Sequence, residues 1–130
     1  MKILLDTNAL IWLTTQADGR SLGPKAKQSI ENADEVYVSS VSILEIRIKT
    51  MLGKLVSSDD LLEDIAEAGL KSLSFDVAHA DALANFPVLS KHDPFDRMLI
   101  AQAQVEGMTL LTSDATLLSL GLSGIANSRE

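Results

Sequence analysis

Four acidic residues stand where a carboxylate can do more than keep a surface wet. Asp6 ends the apolar run Ile3-Leu4-Leu5, and Asp114 ends a second run, Leu110-Leu111-Thr112-Ser113. A helix through Glu45 places Val41, Ile48 and Leu52 on the same face, so this acid lies on an apolar stripe. Asp96 shares its helical face with Leu99, Ile100 and Ala103. Each acid also has a simpler duty open to it. Asp6 and Asp114 can cap the helices that follow them. Glu45 can close a capping box begun at Ser42, or pair with Lys49 one turn on. Together the four suggest something further. Carboxylates gathered in one crevice raise one another's pKa. Mg²⁺ or Mn²⁺ relieves the repulsion, because hard cations take oxygen ligands and keep waters for a phosphate-bearing substrate. Such a site activates a water and steadies the leaving oxygen in phosphodiester hydrolysis. Asp93 reads as structural, a helix cap before Pro94 with Arg97 as its partner at i+4. His79 and His92 show no zinc spacing, and a surface or packing role suits each better.

The elements that must carry these acids can be read in order. A strand over Ile3 to Leu5 feeds a helix, and ligands in open α/β sheets bind outside the carboxyl ends of the strands. A turn is expected at Asp18-Gly19-Arg20-Ser21. A second helix opens at Gly23-Pro24, with proline at a tolerated first-turn position, and runs to about Asn32. Val36 to Val38 is a strand, and a helix from about Val41 to Leu52 stops at Gly53. Another helix spans Leu61 to Ala68, followed by a strand over Leu73 to Phe75. Helix is expected over Asp76 to Phe86 and over Phe95 to Glu106. A strand from Met108 to Thr112 and a short helix from Ala115 to Leu120 complete the pattern, and the tail from Gly121 carries no assignment. Strands alternating with helices imply right-handed crossovers and a short parallel sheet of about four to five strands, covered by helices on both faces in three layers.

Composition narrows the function classes. The 130 residues are enough for one domain, read here as residues 1–130. No cysteine is present, which excludes disulfides, thiolate metal sites and a thiol nucleophile. No apolar run approaches the length of a membrane span, and Asp6 interrupts the pattern of a signal peptide. A soluble, cytoplasmic protein without membrane partners is the expectation. Eighteen acids against eleven bases give a net charge of −7, so no broad basic footprint for nucleic acid exists. Setting four carboxylates aside for one metal site leaves an ordinary −3.

The motifs that carry these acids are Leu5-Asp6-Thr7-Asn8, Ser39-Ser40-Val41-Ser42-Ile43-Leu44-Glu45-Ile46, Asp93-Pro94-Phe95-Asp96-Arg97-Met98-Leu99-Ile100-Ala101-Gln102-Ala103 and Leu111-Thr112-Ser113-Asp114. In these motifs and their order, the chain resembles PIN-domain ribonucleases, and more closely the VapC-like toxins of prokaryotic toxin–antitoxin pairs. The resemblance implies a metal-dependent endoribonuclease acting on RNA with Mg²⁺ or Mn²⁺. Asp6, Glu45, Asp96 and Asp114 would form its acidic quartet, with Asn8 and Thr112 behind them orienting carboxylates or waters. It also implies a cognate antitoxin and a homodimer. Two other readings compete. A haloacid-dehalogenase-like phosphotransfer enzyme wants a second aspartate where Asn8 stands, and a receiver domain wants paired acids and a late lysine. A non-catalytic PIN-like module binding RNA or protein has no use for four converging acids. Dinucleotide binding lacks its glycine-rich turn.

Overall fold

The computed structural model describes residues 1–15 and 21–130, and the turn expected at Asp18-Gly19-Arg20 lies outside them. The strands are β1 (Lys2–Leu5), β2 (Glu35–Ser39), β3 (Lys71–Leu73), β4 (Thr109–Thr112) and β5 (Ile125–Asn127). They form one wholly parallel sheet in the order β3-β2-β1-β4-β5. The helices are α1 (Thr7–Thr15), α2 (Pro24–Asn32), α3 (Ser40–Met51), α4 (Leu61–Glu67), α5 (Val77–Asp81), α6 (Pro94–Glu106) and α7 (Ala115–Ser119). None of the helices in the described residues is long and apolar enough to cross a membrane.

A central parallel strand is covered on both faces and therefore reads as an unbroken apolar run. Ile3, Leu4 and Leu5 of β1 are all buried. The period-two alternation of strand side chains splits the core in two. Ile3, Leu5, Val36, Val38 and Leu111 pack with residues of α1, α2 and α4 on one face. Leu4 and Leu110 pack with residues of α6 and α7, and with Phe86 and Leu89, on the other. α3 contributes Ile46 to the first core and Val41 to the second, so it crosses the end of the sheet. It packs against both α1 and α6.

Three elements differ from the expectations above. β3 covers Lys71–Leu73 instead of Leu73 to Phe75, because its partner β2 ends at Ser39, which pairs with Leu73. Beyond that point the backbone N–H of Phe75 donates to the Ser40 hydroxyl, and the ring turns into the second core. The helix expected over Asp76 to Phe86 shortens to α5 and continues as a 3₁₀ turn over Ala82–Asn85. Phe86 precedes Pro87 and sits at φ −126° and ψ 56°, as a residue held out of the helical region by proline does. The unassigned tail supplies β5, whose Ile125, Ala126 and Asn127 pair with Leu110, Leu111 and Thr112. The chain end then crosses Gly23, where a Cβ would lie 2.2 Å from the Arg129 carbonyl oxygen.

Candidate active site

The connections leaving β1 and β4 run to opposite faces of the sheet, and a crevice opens at the C-terminal ends of these two strands. Asp6 follows β1 at that edge. Its N–H donates to the Leu111 carbonyl at 3.0 Å, which pins its backbone to β4. Its Oδ1 accepts the Ala9 N–H at 2.7 Å and so caps α1. Its Oδ2 accepts the Thr112 hydroxyl at 2.8 Å and the Ser113 N–H at 3.4 Å. Asp114, after β4, is held the same way. Its Oδ1 accepts the Leu117 N–H at 2.9 Å, and its own N–H donates to Thr112 Oγ1 at 3.1 Å. Capping is therefore compatible with a place in the crevice for these two acids, since each carboxylate spends only one oxygen on its helix.

Glu45 arrives on α3, which springs from β2 without a loop. Ser39 is its cap, accepting the Val41 N–H at 3.0 Å. Ser42 and Glu45 thus lie inside the helix and form no capping box. The expected stripe is also incomplete, because Val41 is buried while Ile48 and Leu52 are exposed. Glu45 is nevertheless buried, and α1 touches it. The Thr7 hydroxyl donates to Glu45 Oε1 at 2.6 Å and lies 3.0 Å from the buried Ser42 hydroxyl. The second oxygen, Oε2, accepts from Lys49, so the pairing at i+4 forms from a buried acid.

Asp96 sits in the first turn of α6. The cap is Asp93, whose Oδ1 accepts the N–H groups of Phe95 at 2.9 Å and Asp96 at 3.3 Å. Arg97 does not turn to Asp93 but donates to the Ser90 carbonyl at 3.2 Å. Leu99, Ile100 and Ala103 are buried and anchor the helix face that carries Asp96.

The acids do not converge equally. Asp96, Asp114 and His92 each offer one donor atom in a group whose members all lie within 4.8 Å of one another. His92 Nε2 is 3.3 Å from Asp114 Oδ2 and 3.6 Å from Asp96 Oδ2. Asp6 and Glu45 stand outside this tight group, yet their charge reaches it. Burial pushes the Asp96 carboxyl up to about 7, with Asp93, Asp114, Asp6 and Glu45 adding repulsion in that order. Asp6 is also raised, by burial that outweighs its bonds to Ala9, Thr112 and Ser113, with Glu45 adding repulsion. Lys49 is held in its charged form, mainly by its bond to Glu45.

Thr112 makes the contacts that orient both strand-end acids. Asn8 is exposed on α1, and the bond from this turn to Glu45 comes from Thr7 instead. His92 is the residue that sequence reasoning passed over. It is four positions before Asp96, but it lies outside the helix, where helical periodicity carries no information about it. His79, by contrast, is buried as a packing residue, with Nδ1 accepting the Asp76 N–H and Nε2 facing Glu106.

Comparisons with known proteins follow the same lines. The PIN domain model matches residues 3–121. Ribonuclease VapC22 of Mycobacterium tuberculosis is 32% identical over 125 residues, covering 90% of each chain. Among solved structures, a toxin-antitoxin complex from Klebsiella pneumoniae is similar with a TM-score of 0.68, at 21% identity and 98% of each chain. VapBC2 from Rickettsia felis, bound to a DNA fragment from its promoter, also has a TM-score of 0.68, at 14% identity over 98% of each chain.

Proposed function

Because this chain belongs to the PIN-domain family, we propose that it is an endoribonuclease, the toxin of a toxin–antitoxin pair, using Mg²⁺ or Mn²⁺ held by Asp6, Glu45, Asp96 and Asp114. The observation that carries this reading is that acids from three further elements, Asp114, Asp6 and Glu45, lie near enough for their charge to act on Asp96, in a chain similar to a named ribonuclease over nine-tenths of its length. The donor set fits a hard divalent ion. Oxygens dominate it, and the repulsion stored on Asp96 is what a cation in the crevice would release. The bound ion supplies Lewis acidity and an activated water.

The chain's own residues set the geometry of that chemistry. Thr112 fixes one oxygen of Asp6 and the backbone of Asp114, so that both strand ends present carboxylates in one orientation. Thr7 fixes one oxygen of Glu45 and Lys49 the other. With its carboxyl near 7, Asp96 in the metal-free protein takes up or releases a proton close to neutral pH. Lys49 pairs with Glu45 at the edge of the acids, where a cation can meet the phosphate of an RNA strand as it enters. Leu44, Ile48 and Met51 are exposed on the same helix as Glu45, which supports a protein partner docking beside the site. In the toxin–antitoxin reading that partner is the antitoxin, and a guanidinium from it can replace the metal's charge opposite the carboxylates.

Incubating the purified protein with RNA in chelator, Mg²⁺ or Mn²⁺ tests the catalytic claim. Cleavage is expected only with the ions, and to fall by about two orders of magnitude or more in Asp6→Asn. Cleavage undiminished in chelator, or in the variant, overturns the reading. RNA bound but never cut would make the chain a binding module.

A further inference from the structure

We infer that His92 is a ligand of the same metal site, its Nε2 completing a cation pocket with Asp96 Oδ2 and Asp114 Oδ2 and biasing the site toward Mn²⁺ and later transition ions over Mg²⁺. The inference rests on the proposed function, since it takes Asp96 and Asp114 as metal ligands. It starts from an atom without an occupation. His92 Nε2 is buried and has no hydrogen-bond partner among the described residues, although two carboxylate oxygens lie 3.3 and 3.6 Å away. A buried polar atom in this condition is uncommon and calls for an explanation. His79 shows the contrast, for its ring nitrogens face Asp76 and Glu106.

The separations are those of donors around one ion. With bonds of about 2.1 Å, neighbouring donors stand about 3.0 Å apart in an octahedral set and about 3.4 Å in a tetrahedral one. The two distances from Nε2 fall close to this range, and all three donor atoms stay within 4.8 Å of one another. The side chain is also well placed to remain there. The backbone N–H of His92 donates to the Leu89 carbonyl at 2.9 Å, and Asp93 then begins the cap of α6. His92 and Asp96 are thus presented from the two sides of one helix start, and Asp114 meets them from the end of β4. Neutral imidazole is a favoured ligand of later first-row ions, whereas Mg²⁺ keeps to oxygen and resists losing water. One nitrogen among carboxylates therefore shifts selectivity without removing the capacity for Mg²⁺.

Two readouts, neither of them activity, test this. Pulsed electron paramagnetic resonance of the Mn²⁺-loaded protein should show coupling to an imidazole nitrogen, absent in His92→Ala and in His92→Gln. Calorimetric titration should find Mn²⁺ and Co²⁺ affinity at least about tenfold lower in both variants, with Mg²⁺ affinity changed by less than about threefold. Melting in chelator checks that each variant is folded. Bound Mn²⁺ without nitrogen coupling, or equal weakening of Mg²⁺ and Mn²⁺, overturns the role of His92 while leaving the carboxylate site intact. A wild type that binds none of the ions, with Asp96→Asn behaving identically, overturns the metal site and this inference together.

Discussion

At the scale of single residues, the carboxylates at the sheet edge have structural duties that leave room for the chemistry proposed for them. Asp6 and Asp114 each give one oxygen to a helix N-terminus, while the other oxygen of Asp6 accepts from Thr112 and that of Asp114 faces His92. Thr112 is the common support. Thr112→Val keeps the shape but removes a buried donor from Asp6 and an acceptor from the Asp114 N–H, and should cost about 1–3 kcal/mol of stability. It should also weaken metal binding by about tenfold or more, measured by calorimetry; an unchanged affinity would show that Asp6 needs no such orientation. Asp96 supplies a pH signature. Its folded pKa of about 7 lies well above its unfolded value, so the folded state binds the extra proton between about pH 4 and 7. Stability of the metal-free protein is therefore highest below that window and falls as pH rises through it. Because the carboxyl is partly open to solvent, the loss should be on the order of 1–2 kcal/mol. Denaturant melts in chelator at pH 5 and pH 8 read it directly, and a rise in stability across the window would contradict the assignment.

At the scale of elements, Asp6, Asp96 and Asp114 stand out in the sequence because each ends or begins a strongly patterned segment, whereas Glu45 lies inside α3 on a stripe that the structure leaves incomplete. The apolar runs before Asp6 and Asp114, and the Asp93-Pro94 start of α6, name their elements locally. What escaped was set by tertiary contact. β5 is three residues whose identity as a strand comes only from pairing with β4. Ile48 and Leu52 look like core by spacing yet stay exposed, while the last turn of α3 is held from its other side through Thr50 and Ser57. His92 escaped because nothing in its spacing says that the segment before α6 folds back over β4's end. Two tests belong here. Asp93→Asn retains an oxygen for the α6 cap and should keep RNA cleavage within a fewfold, whereas Asp96→Asn should abolish it; equal losses would show that Asp93 takes part in the chemistry. Gly23→Ala drives a Cβ into the backbone of Arg129 and Glu130, which Gly23 and Lys25 otherwise bind through N–H bonds to Ser128 and Glu130. A loss of about 1–3 kcal/mol is expected, with hydrogen exchange accelerated first in β5. An undisturbed β5 would mean that the chain end does not depend on this contact.

At the scale of the whole molecule, the sheet topology explains why four acids far apart in sequence share one edge. The order β3-β2-β1-β4-β5 brings the ends of β1 and β4 side by side, and α3 and α6 close over them from the two faces. The net charge of −7 gives the molecule little general attraction for RNA, so in the proposed function an ion in the crevice would anchor the phosphate. Without the ion, the fold holds like charges together at a cost. Melting curves of the wild type and of Asp96→Asn, each in chelator and in millimolar Mn²⁺ at pH 7.5, measure that cost and its release. The wild type should gain about 2.7 kcal/mol at a hundredfold excess over Kd, roughly 10 °C in Tm. Asp96→Asn should melt higher than the wild type in chelator and respond less to Mn²⁺. A wild type whose Tm ignores Mn²⁺, beside a variant destabilised in chelator, would mean that the four acids serve the fold alone and form no metal site.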